Sequence, residues 1–175
     1  MLIENLKDQM VFRDTVVDRI WQTWSKSKGY PRSVAEAPVD RSLNPATGIP
    51  LCLVAHDGAH FKGTVALIDK DPDYPDHNGP WIDALWVEPE ARGDGLAIDL
   101  IDHAARNAEA LGHQTLSLEA TDRLVPFYRR RGFKVAGRSK VERDLAVMRL
   151  DLVSRPRSSL QPAASSVRTS QPKGH

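Results

Sequence analysis

Residues Trp81 to Gly112 read WIDALWVEPEARGDGLAIDLIDHAARNAEALG, and this stretch decides the fold. Trp81–Val87 is a strongly apolar run of strand length. A short turn follows, and Arg92-Gly93-Asp94-Gly95-Leu96-Ala97 opens a helix over Leu96–Leu111. In that helix Ile98, Leu100, Ile101, Ala104, Ala105, Ala108 and Leu111 make one broad apolar stripe, and Gly112 ends it. A strand, a glycine turn and a helix in that order make an anion site. The first helical turn leaves backbone N–H groups without partners, and the macrodipole adds partial positive charge there. Gly93 and Gly95 let a ligand approach the backbone. Arg92 supplies a forked, charged donor set suited to phosphate oxygens. Asp94 would repel a phosphate unless it points away or caps the helix.

The flanks extend the pattern. Upstream, Leu2–Leu6 reads as a short strand. Phe12 to Lys28 reads as a helix with Val16, Val17, Ile20, Trp21 and Trp24 on its core side, stopped by Gly29. Residues 30–49 carry Pro31, Pro38, Pro45 and Gly48 and read as loop. Pro50–Ala55 and Phe61–Ile68 read as a hairpin turned at Asp57-Gly58, and Asp69–Pro80 as a polar loop. Downstream come a strand at Thr115–Glu119, a short helix at Leu124–Arg131 closed by Gly132, and strands at Phe133–Gly137 and Leu145–Leu152. A hairpin-rich first half and a strand–helix–strand centre imply an α/β domain with a mixed sheet and helices on its faces.

Two other readings of the turn fail. No Gly-Lys-Ser/Thr follows it, so it is not a nucleotide P-loop. The tripeptide Arg-Gly-Asp arises often by chance. What the turn does resemble is the R/Q-x-x-G-x-G/A element of the GNAT acetyltransferases, and VEPEARGDG extends the match. A second stretch, LSLEATDRLVPFYRRRGF (residues 116–133), resembles the end of the same family, where an aromatic pair and a terminal Gly-Phe follow a short helix.

The resemblance implies a GNAT-like, mostly antiparallel sheet of six to seven strands with splayed central strands. It also implies acetyl-CoA as cosubstrate and an amine acceptor, either a small molecule or a protein N-terminus. The diphosphate would lie on the turn formed by Arg92, Gly93, Asp94, Gly95, Leu96 and Ala97. The pantetheine arm would pair with the exposed strand edge around Leu85, Trp86 and Val87, whose main chain would also receive the thioester oxygen. Tyr128 becomes the general acid that protonates the leaving thiolate. The attacking amine must be neutral, and alkylamines are largely protonated at pH 7. Two carboxylates qualify as base: Asp83, inside an otherwise apolar strand, and Glu119, at the end of the next. Trp21 and Trp24 are expected in the core, although in the family the segment after the first helix shapes the acceptor pocket, and Tyr30, Trp86 and the 138–144 loop are candidates to join that wall. The alternative is a GNAT-like module that binds acyl-CoA without turnover.

Bulk properties narrow the field. The chain has 175 residues, 27% of them charged, and a formal net charge of +1. That size suits one domain, and that balance gives no sign of a nucleic-acid partner. Residues 154–175, rich in Ser, Pro and Ala, read as a disordered tail after a domain over 1–153. Four of its residues are basic and none acidic, so without it the net charge falls from +1 to −3. The single cysteine, Cys52, allows no intrachain disulfide and is expected in the core. No signal-peptide pattern and no run of bilayer-spanning length is visible, which leads to the expectation of a cytoplasmic protein away from membranes. His56 and His60 lack a third ligand, and Asp69, Asp71 and Asp73 lack the glycine and glutamate of a calcium loop, so no metal is expected. A homodimer is left open.

Overall fold

In the computed structural model, residues 1–69, 79–140, 142 and 144–154 are described. The expected tail beyond 154, and Asp71 and Asp73 of the acidic loop, lie outside them. Seven strands form one sheet: β1 (Leu2–Asn5), β2 (Leu51–Asp57), β3 (His60–Ile68), β4 (Trp81–Val87), β5 (Thr115–Thr121), β6 (Lys134–Arg138) and β7 (Leu145–Asp151). Their order across the sheet is β1-β2-β3-β4-β5-β7-β6. Every neighbouring pair is antiparallel except β4 and β5, which run parallel.

Helices cover the two faces. On one side α3 (Leu96–Ala110) lays Leu100, Ile101, Ala104, Ala105 and Ala108 over Leu53, Val65, Leu67 and Ile82. The short α4 (Val125–Arg129) joins this core through Val125 and Tyr128. On the other side α1 (Arg13–Ile20) and α2 (Ser33–Leu43) pack Val16, Val17, Ala35 and Val39 against Cys52 and Val54. Strand β2 is therefore buried on both faces, and Cys52 sits in the core as expected. Burying one such aliphatic side chain is worth about 1.5–3 kcal/mol, so the two clusters supply the main drive for this arrangement.

Three expectations change. First, residues 33–43 are helical. Pro38 lacks a backbone N–H, and a proline inside a helix costs roughly 3 kcal/mol. The burial of Ala35, Val39 and Ser42 on one face works against that cost. So do the clamps to α1: Arg13 to Asp40 at 2.6 Å and Arg32 to Asp18 at 2.6 Å.

Second, the first helix does not run uniformly to Lys28. It widens into a π-helical turn at Trp21–Ser25 and tightens at Lys26–Lys28, before Gly29 ends it at φ +79°. Third, the stripe of α3 begins at Leu96, which is fully enclosed, while Leu111 is 42% exposed. Among the described residues no helix is long and apolar enough to cross a membrane.

Candidate active site

Two irregularities of β4 create the site. On the β3 side, Thr64 pairs with Trp86 and Ala66 with Asp83, so two residues, Ala84 and Leu85, face the single Val65. Ala84 takes φ +49°, a left-handed value that alanine rarely adopts. This is a β-bulge, and it bends the strand. On the β5 side only Trp81 and Ser117 are paired. Beyond that point the two parallel strands part.

The opening is a cleft of about 290 Å³. Asp83, Leu85, Glu119 and Tyr128 all line it, and so do Ala84 and Trp24. The alternation of side chains along a strand explains the convergence. Asp83 lies opposite Ala66 and Glu119 opposite Val147, on the face away from α3. Tyr128 belongs to the core on the α3 side. Only where the sheet is split can groups from both faces reach one space.

Tyr128 is 7% exposed, and the rings of Phe127 and Phe133 pack edge-on to it at 5.1 and 5.7 Å. Burial pushes its phenol up to about 12, so the hydroxyl keeps its proton at neutral pH. Among the described residues that hydroxyl makes no hydrogen bond. Asp83 is exposed in the cleft, yet nearby protein removes part of its hydration. Loss of hydration raises its carboxyl above the usual value, the Ala84 N–H at 2.8 Å opposes that shift, and the charge of Glu119 adds to it. A carboxyl raised in this way is a better proton acceptor near neutrality than an ordinary one.

The glycine turn leads into α3 and is open. Gly93 and Gly95 have φ of +96° and +87°, and a Cβ at either would meet nothing within 4 Å. Gly95 is the N-cap of α3 and offers no side chain, so the first-turn N–H groups have no side-chain cap. Asp94 is exposed and does not take the capping role. Arg92 donates Nε–H to the Val87 carbonyl at 2.9 Å and lays its guanidinium 4.9 Å over the Trp86 ring. It braces the turn against β4 as well as charging it. Trp86 and Val87 do not line the cleft: Trp86 packs beneath Arg92, and Val87 is in the core.

Trp24 was expected in the core; instead it is 41% exposed and lines the cleft. The extra residue in the π-helical turn rotates it outward, and Ser25 is the buried position. Periodicity at 3.6 residues per turn cannot show such a slip. Tyr30 is exposed, and its carbonyl accepts from the Trp21 indole at 2.8 Å. Of the 138–144 loop, Glu142 pairs with Lys28 at 2.8 Å. Among the described residues no three His, Cys, Asp or Glu side chains gather as a metal site would require. Both ring nitrogens of His56 are occupied, by Glu4 at 2.7 Å and the Gly58 carbonyl at 3.0 Å.

Among the described residues, a seven-stranded mixed sheet split at its only parallel pair, with an open glycine turn at the start of α3, is a GNAT acyltransferase architecture. The chain belongs to the acetyltransferase (GNAT) domain family, whose model matches residues 29–152. The peptidyl-lysine N-acetyltransferase YjaB of Salmonella typhimurium is 41% identical over 64 residues, which are 37% of this chain and 43% of that protein. Its Escherichia coli counterpart is 40% identical over 65 residues. The chain thus matches less than half the length of these curated relatives. Among solved structures, an aminoglycoside 6'-N-acetyltransferase complexed with coenzyme A superposes with TM-score 0.69 at 20% identity, over 89% of this chain and 99% of that one. The PaiA N-acetyltransferase of Thermoplasma acidophilum, also in complex with coenzyme A, gives TM-score 0.61 at 18% identity, over 86% and 99%. At these identities the likeness establishes the fold.

Proposed function

We propose that the protein transfers an acetyl group from acetyl-CoA to a primary amine by direct attack in a ternary complex. The observation that carries this reading is the convergence of Asp83 and Tyr128, from opposite faces of the sheet, on the gap between β4 and β5. The diphosphate of CoA would be held by the backbone N–H groups at Gly93–Ala97, with Arg92 adding charge. The pantetheine arm would add itself as a strand to the free edge of β4. Fit favours this: among the described residues no side chain fills the space above either glycine.

The amine enters as an ammonium. Asp83 takes its proton, directly or through water, and Glu119 holds the local field negative. The nitrogen lone pair then attacks the thioester carbonyl carbon. The main chain around Leu85–Val87, beside the bulge, would supply the donor to the developing oxyanion, since the Ala84 N–H is given to Asp83. As the tetrahedral carbon re-forms its C=O bond, the C–S bond breaks, the Tyr128 hydroxyl gives its proton to the departing sulfur, and the nitrogen, cationic since the attack, loses its second proton to water. Amide and free CoA thiol leave, and solvent restores both side chains.

The names of the curated relatives make a lysine side chain the first acceptor to try. The test is thiol release from acetyl-CoA with a lysine peptide, an α-amine and an aminoglycoside. Amine-dependent release supports the transferase. Tight CoA binding with no release on any amine would instead leave an acyl-CoA-binding module.

A further inference from the structure

The cleft is lined by three polar groups, Asp83, Glu119 and Tyr128, and by two exposed large apolar residues, Trp24 at 41% and Leu124 at 39%. Neither exposure is incidental. The first helix buries Val16 and Val17, and an unbroken α-helix would carry Trp24 onto the same face seven residues on. The π-helical turn at Trp21–Ser25 places Ser25 inward instead, 9% exposed, and leaves the indole over the cleft. Turns of this kind collect at functional sites. Leu124 is fixed from the other side, where its N–H donates to the Thr121 carbonyl at 2.8 Å as the chain enters α4.

We propose that Trp24 and Leu124 form an apolar collar that selects an acceptor amine carried at the end of an unbranched alkyl stem. The inference rests on the transferase reading and names the substrate class of the same site. The methylenes of such a stem would lie against the indole and the leucine while the ammonium passes to Asp83. The indole face also attracts the cation on its way in. Among the described residues no basic side chain lines the cleft. An α-amine brings its own amide groups within two bonds of the reacting nitrogen, and an aminoglycoside brings hydroxyls. Either would press polar groups against the collar without hydrogen-bond partners, which is costly. A side-chain amine, four methylenes from its backbone, keeps its amide groups outside.

The test is steady-state kinetics at saturating acetyl-CoA with Nα-acetyl-lysine amide, glycinamide and kanamycin. The wild type is expected to favour the lysine amide by about tenfold or more in kcat/KM, the scale of one lost apolar contact or one stranded polar group. Trp24→Ala should raise KM for the lysine amide by about tenfold, with kcat within about twofold and KM for acetyl-CoA unchanged. Trp24→Phe should recover most of the loss, and Leu124→Ala should act in the same direction but less. Melting curves establish that each variant is folded. A wild type that prefers glycinamide or kanamycin overturns the collar. So does an unchanged lysine-amide KM in both Trp24→Ala and Leu124→Ala. No thiol release with any acceptor, despite CoA binding to the wild type, overturns the transferase reading itself.

Discussion

The two edges of β4 have different fates. Toward β3 the strand is paired from Trp81 with Ile68 to Val87 with Gly63, interrupted only by the bulge at Ala84–Leu85. Toward β5 it is paired once, at Trp81 with Ser117. The closed edge ties the strand into a core that includes Val65 and Leu67, both fully enclosed. The open edge carries the groups with perturbed chemistry: a raised carboxyl at Asp83, and across the gap a phenol without a hydrogen-bond partner among the described residues. One strand therefore serves stability on one side and, in the reading proposed here, catalysis on the other. The two roles should come apart under mutation.

The largest separation is expected at Tyr128. Tyr128→Phe removes a hydroxyl that has no partner among the described residues, so the fold should tolerate it and CoA affinity should stay within about twofold, while kcat falls by about 10²-fold or more, the scale of lost general-acid catalysis. Thiol-release kinetics beside calorimetric CoA titration measure both. An unchanged kcat would remove Tyr128 from the chemistry. Because the phenol sits at about 12, the wild-type kcat profile should also show no loss between neutral pH and pH 10 from this group.

The opposite behaviour is expected on the closed edge. Leu67→Ala empties a buried site against α3 and should cost about 2–5 kcal/mol in denaturant unfolding, with kcat/KM per folded molecule nearly unchanged. A large drop in activity without loss of stability would erase the contrast.

Asp83→Asn is intermediate in activity and opposite in sign for stability. Asp83 is exposed, but the protein around it strips part of its hydration and raises its carboxyl, so the folded chain keeps the proton to higher pH than the unfolded chain does. Stability conferred by the neutral form is lost as pH rises from the ordinary carboxylate range through the raised value. Asparagine cannot ionise, so Asp83→Asn should melt higher than wild type at pH 7, with the gain shrinking as pH falls toward the usual carboxylate pKa. Its kcat/KM at neutral pH should fall by roughly tenfold, less than the usual general-base contribution of about 10²–10⁴-fold because water can also take the amine's proton, and the acid limb of the wild-type profile should flatten. A lower melting temperature with an unaltered profile would show a structural salt-bridging role instead.

The sequence made the frame legible because its signals were local. Gly29 and Gly112 ended helices, Asp57-Gly58 turned a hairpin, and WIDALWV announced β4. The helix at Ser33–Leu43 was hidden because proline dominates local propensity, whereas the compensating contacts, Arg13 with Asp40 and Arg32 with Asp18, come from a helix elsewhere in the chain. Candidate site residues were legible where a motif carried them, as at Tyr128 and the glycine turn. Trp24 was misplaced because one extra residue in a helical turn leaves no mark on an apolar pattern. The bulge at Ala84 was similarly invisible, since alanine at positive φ is chosen by the sheet around it and not by its own preference.

The most direct test of the account is amide hydrogen exchange with and without CoA. If the cofactor's pantetheine arm pairs with the open edge of β4 and its diphosphate rests on the glycine turn, saturating CoA should slow exchange across Asp83–Trp86 and Gly93–Ala97, while β2 amides far from the gap keep their rates. Saturation with CoA that leaves both segments unprotected, or protects only the closed side of the sheet, would contradict it.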